Sequence, residues 1–73
     1  MSFGVANVSR SEYGTTYYIT RDRDGIRYGK VEESLTGVCG VRDDDDEPAQ
    51  VGSVFYDRMI AAVKSYKAWA EQH

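Results

Sequence analysis

Residues 15–33 read TTYYITRDRDGIRYGKVEE. Every position from Thr15 to Thr20 is β-branched or aromatic, the composition that fits a pleated, half-buried strand. Asp24-Gly25 stands between that run and a second strand-like run, Ile26–Glu33. Gly takes positive φ at no steric cost and Asp tolerates it, so Asp-Gly between two such runs signals a hairpin. Two antiparallel strands are therefore predicted, 15–20 and 26–33, joined through Arg21–Gly25. In the return strand Ile26, Tyr28 and Lys30 alternate with Arg27, Gly29 and Val31, which leaves the inward face open. Gly29 marks a candidate bulge.

Working outward, Ser11-Glu12-Tyr13-Gly14 is a turn signal, and FGVANVSR, residues 3–10, reads as a first strand. On the other side LTGVCGVR, residues 35–42, reads as a further strand with Leu35, Cys39 and Val41 on one face and Val38 on the other. A helix follows over 53–72. At about 100° per residue, Val51, Phe55, Met59, Ala62, Tyr66 and Trp69 fall on one side, with Val63 and Ala70 at its edge. Ile60 and Val54 are left outside that stripe. Pro48 suits a first helical turn and Ser53 suits an N-cap; Gly52 favours the later start. The expectation is an α+β fold: a three- or four-stranded antiparallel meander, residues 1–42, an acidic loop, 43–52, and one C-terminal α-helix packed on one face.

Seventy-three residues form one small domain that buries only about 60% of its unfolded surface. One cysteine excludes an internal disulfide, and Cys39 with His73 is a poor supply for zinc. Oligomerisation, such as a homodimer, or partner binding is the reinforcement that remains. No apolar run approaches the roughly 20 residues that span a bilayer, and Met1–Val5 lacks the pattern of a secretory signal. A reduced, cytoplasmic setting without membrane contact is expected.

The net charge of −3 is unevenly laid out. Residues 1–31 hold five Arg or Lys against three Asp or Glu, whereas residues 32–48 hold Arg42 against seven acids. The run Asp43, Asp44, Asp45, Asp46 and Glu47 resembles a calcium site at first glance. Consecutive aspartates point in different directions and repel, and no glycine-spaced loop surrounds them. They read as a solvated loop ahead of a helix or as an acidic patch for a basic partner, with Glu32 and Glu33 adding to the same field. Asp22-Arg23-Asp24-Gly25 likewise lacks the flanking ligands of a calcium loop. No metal or other cofactor is expected.

Catalytic constellations are thin. Cys39 and the serines have only His73 as a base, and Cys39 reads as a buried structural residue. Neither a Gly-rich phosphate loop nor a telling carboxylate spacing is present, so a non-enzymatic protein is expected. A competing surface is the basic hairpin, where Arg21, Arg23, Arg27 and Lys30 lie near Tyr17, Tyr18 and Tyr28. Arginines with exposed aromatics on a sheet hold single-stranded nucleic acid by charge and stacking. The acidic balance of the chain argues against direct nucleic-acid binding.

The layout of paired strands about Arg21–Gly25, a strand with Gly37-Val38-Cys39-Gly40 and a helix with Ala61-Ala62-Val63 resembles small acidic, phage-encoded inhibitors of the anti-CRISPR type. It also resembles HicB-type antitoxins. The resemblance implies a stoichiometric inhibitor or regulator, phage-derived in the first case. The reading is a protein-binding module for a larger basic or nucleic-acid-binding partner, with Asp43–Glu47, Glu32 and Glu33 as its contact residues. The alternatives are a nucleic-acid-binding domain built on the Arg/Tyr hairpin and a homo-oligomeric structural protein.

Overall fold

The computed structural model describes residues 3–21 and 27–72. Four strands, β1 (Phe3–Ser11), β2 (Gly14–Arg21), β3 (Arg27–Ser34) and β4 (Gly37–Asp43), precede one helix, α1 (Val54–Gln72). The strands form an antiparallel meander in the order β1-β2-β3-β4, and α1 packs across one face. The expected α+β architecture is present, with the larger of the two strand numbers. The predicted turn at Asp22–Gly25 lies outside the described residues.

Two of the connections use the same local device. In Ser11-Glu12-Tyr13-Gly14 and in Ser34-Leu35-Thr36-Gly37, Ser and Gly are cross-strand partners around a two-residue loop. The Ser11 Oγ accepts the Tyr13 N–H at 3.2 Å, and the Ser34 Oγ accepts the Thr36 N–H at 3.3 Å. Leu35 is thus a loop residue, 91% exposed, and not the first inward residue of β4.

Each strand pair carries one unmatched residue: Ala6 in β1, Tyr28 in β3 and Cys39 in β4. An unmatched residue breaks the two-residue alternation of a strand and re-aims its neighbours. Beside Gly29, as the sequence suggested, the bulge lets Tyr28 stack on Phe55 at 5.3 Å while Gly29 itself is buried. A Cβ on Gly29 would lie 2.3 Å from the Arg42 carbonyl oxygen and 2.9 Å from the Met59 Cε, so the glycine admits the helix. The Cys39 bulge leaves Val41 buried and Cys39 exposed, which corrects the reading of Cys39 as a buried residue.

The core consists of Tyr17, Ile19, Val31 and Val41 from the sheet and Met59, Ala62 and Val63 from α1. Helix entry follows local chemistry: Gly52 takes φ 87°, and the Ser53 Oγ accepts the Tyr56 N–H at 3.1 Å as an N-cap. The predicted start at Ser53 is the one observed, displaced from the acidic run. The apolar stripe differs from its expected centre. Val51 and Trp69 are exposed, at 78% and 57%, whereas Ile60 packs against the core. Met59 is fully buried, and its Cε lies against Gly29, which has no side chain to displace it. No helix among the described residues is long and apolar enough to cross a membrane.

Candidate functional site

The acidic run closes a tight turn at the end of β4. Asp43 acts as its clip. The Asp43 Oδ1 accepts the N–H groups of Asp45, at 2.9 Å, and Glu47, at 3.0 Å. The Asp43 N–H donates to the Glu47 carbonyl, and the Asp46 N–H to the Asp43 carbonyl. This folding-back of an Asp onto its following backbone is a habit of the residue type. Asp46 completes the turn at φ 65°, a left-handed conformation that Asp tolerates better than most residues. The chain then re-engages β4, where Pro48 bridges Arg42 and the Ala49 N–H donates to the Val41 carbonyl at 2.7 Å.

The carboxylates divide into three kinds. Asp43 is used by the backbone. Asp46 and Glu32 join Lys30 and Arg42 in a cluster on the sheet face away from the helix: Lys30 Nζ lies 3.2 Å from Asp46 and 3.8 Å from Glu32, while Arg42 Nε lies 3.9 Å from Glu32 and 4.0 Å from Asp46. The Arg42 Nη1 also donates to the Asp46 carbonyl at 2.9 Å. Two cations here balance two anions. Asp44, Asp45 and Glu47 are exposed, and among the described residues no ion pair involves them.

Glu33 stands apart. Adjacent strand residues point to opposite faces, so Glu33 turns toward the helix, where it accepts hydrogen bonds from Lys67 Nζ and, at 3.3 Å, from the Tyr17 hydroxyl. The single field expected of Glu32, Glu33 and the acidic run is therefore split between two faces. Burial, then the neighbouring Glu33 carboxylate, raises the Tyr17 phenol above its ordinary range. The hydrogen bond to Glu33 is the main cause of the rise at Lys67.

The basic hairpin is divided as well. Tyr17 is buried, and Tyr28 is packed between Phe3 and Phe55, with ring centroids at 4.6 and 5.3 Å. Both lie on the helix side, which corrects the picture of a stacking platform made with Arg27 and Lys30. Tyr18 remains on the opposite face, under the Arg27 guanidinium at 5.7 Å. Arg21 ends β2, and Arg23 lies outside the described residues. A recess of about 140 Å³ is bordered by Tyr18, Arg27 and Lys30 and by Asp43, Asp44 and Asp46, so the basic strand ends abut the acidic turn. Among the described residues no three His, Cys, Asp or Glu side chains are placed to share a metal ion.

Sequence reasoning missed the edge of β4. Residues Val38–Gly40 have β3 on one side only, because the returning chain pairs with Val41 and Arg42. Beside that open edge lies a cavity of about 320 Å³ bordered by Val38, Cys39, Pro48, Ala49, Val51 and Tyr56. The second Ser-x-x-Gly sequence is the signal that would have located the start of β4 at Gly37. Comparisons with family models, with characterised proteins and with solved structures returned no match.

Proposed function

We propose that this chain is a non-enzymatic protein-binding module, a small acidic inhibitor or regulator that engages a larger basic or nucleic-acid-binding partner through the turn at 43–47. The observation that carries the reading is the division of the carboxylates. The fold uses Asp43 to close the turn and Asp46 to balance Lys30 and Arg42. Asp44, Asp45 and Glu47 add repulsion without a structural return, yet the turn holds them in one exposed place. A fixed cluster of like charge raises the association rate of an oppositely charged partner and makes that rate fall with salt. The likeness in layout to phage-encoded inhibitors agrees with this reading.

The test is a pair of baits, wild type and the D44N/D45N/E47Q variant, used to capture proteins from a lysate of the native host at low salt. A basic protein retained in stoichiometric amount by the wild type and lost from the variant is the expected result. The reading is overturned if no protein distinguishes the two baits, or if the wild type retains nucleic acid in the absence of protein.

A further inference from the structure

We propose that this chain forms a dimer through its other sheet edge: Asn7–Ser11 of two copies pair antiparallel about a twofold axis at Ser9, joining the two sheets into one of eight strands with Trp69 of each copy in the seam. The inference is independent of the function proposed above and leaves the turn at 43–47 open at both outer edges.

Among the described residues β1 is paired with β2 alone, along its whole length. Natural sheets blunt such an edge with charge, proline, bulges or a covering segment. Here nine residues carry one charge, Arg10, and no proline. The unmatched Ala6 interrupts the ladder in its first half, whereas Asn7–Ser11 matches β2 residue for residue and leaves five residues of regular edge. The β4 edge differs, because Pro48 and Ala49 already lie along it at Arg42 and Val41.

The helix stands toward the open side. α1 packs more closely on β1 than on β2 or β3. The Arg58 guanidinium lies 5.5 Å from the Phe3 ring in β1, while Lys67, about 180° around the helix from Arg58, reaches Glu33 in β3. Trp69 falls about 20° from Arg58 and so belongs to the β1 flank. Its ring neighbour Tyr66 packs on Tyr17, the cross-strand partner of Val8. Trp69, 57% exposed, therefore stands above the second half of β1. A twofold axis through Ser9, perpendicular to the sheet, puts both helices on one face and turns the two Trp69 side chains toward each other. It also brings the loop tip at Tyr13, 81% exposed, level with Val5 of the second copy.

Charge selects the occupant and the edge together. A basic segment finds no acid along β1. Residues 32–48 hold seven acids against Arg42, in β3 and around the end of β4, on the side of the sheet away from β1. Joined at β1, the β4 strands of two copies stand seven strand spacings apart, about 34 Å, well beyond the Debye length of ~10 Å at 0.1 M salt. Two chains of −3 meet here without opposing their acids. The contact from Val5 to the loop tip is about 25 Å long, and the least dimension of the molecule is 19 Å. Two copies thus bury on the order of 1,000 Å², the size at which a specific but weak interface begins.

The experiment uses the full chain. Sedimentation equilibrium should give a reversible dimer, twice the 8.2 kDa of one chain, with a dissociation constant in the micromolar range. A nitroxide on Cys39, the one cysteine, supplies the geometry. Cys39 is exposed on β4, and the strand registers place it level with Ser9. Double electron–electron resonance should therefore give roughly 35 Å between labels. Ser9→Lys sets like charges opposite each other at the axis and should weaken the dimer tenfold or more at low salt. Its side chain is exposed, so the circular dichroism spectrum should not change. Trp69→Ala should weaken the dimer several-fold. A chain that stays monomeric to millimolar concentration overturns the proposal, as does a dimer that neither variant weakens. A label distance under about 20 Å assigns the association to the β4 edge and also overturns it. The distance is read on the wild-type fold, so it decides even where a variant fails to fold.

Discussion

Gly29 shows how much one residue decides. It is the floor on which Met59 rests, and its missing side chain sets how closely α1 approaches β3. Gly29→Ala should destabilise the protein by about 1–3 kcal/mol, the ordinary range for an overpacked core, since one of the two obstructing atoms belongs to the backbone. A shift in the urea midpoint at unchanged slope measures it. At the other end of the helix, Glu33 receives both Tyr17 and Lys67. Both groups hold their protons more tightly in the folded state, burial leading at Tyr17 and the Glu33 hydrogen bond at Lys67. Their contribution is complete below the unfolded values of 10.0 and 10.5 and is lost as pH rises through the raised folded values. Stability should therefore fall in mildly alkaline solution beyond pH ~10, and Lys67→Met should flatten that fall; urea midpoints from about pH 8 to about pH 11 provide the comparison. Neither partnership was legible in the sequence: Tyr17 meets Glu33 through the register of β2 on β3, and Glu33 meets Lys67 only when α1 crosses the sheet.

At the scale of the element, the helix was readable and its centre was not. Ser53, Gly52 and the apolar spacing located α1 to within a residue. The 100° projection gave equal weight to Phe55 and Met59, but the sheet does not. Phe55 is half-buried and stacked on Tyr28, whereas Met59 is fully buried. Met59→Ala should cost about 2–5 kcal/mol and exceed the loss from Phe55→Ala, which thermal melts of the two variants will rank. Ser53→Ala should cost about 1 kcal/mol by removing the N-cap. Strand boundaries were legible wherever turn chemistry was read. Ser11–Gly14 is a turn in both sequence and structure, whereas the matching Ser34–Gly37 turn takes Leu35 and Thr36 out of the strand that composition predicts over 35–42.

For the molecule as a whole, the distribution of charge separates structural from surplus carboxylates. Asp43→Ala should destabilise the turn by about 1–3 kcal/mol, because two backbone N–H groups lose their acceptor. The D44N/D45N/E47Q variant should keep the wild-type circular dichroism spectrum and gain slightly in stability at low salt, an effect that added salt erases. Loss of fold in that variant would make the whole run structural and remove the ground for the proposed function. The sequence by itself determined the elements, their order and the antiparallel pairing, since strand composition, two-residue turns, an N-cap and helical spacing act over a few neighbouring residues. Only the tertiary structure decided which side chains are available at the surface. Residues 15–20 are β-prone at every position, so nothing local distinguishes Tyr17, which is buried, from Tyr18, which is not. The extra residues at Ala6, Tyr28 and Cys39 reset the facing of β1, β3 and β4 through cross-strand pairing. Which acids are neutralised depends on where Lys30, Arg42 and Lys67 come to lie, and that is settled by register and helix crossing, which link residues far apart in the chain.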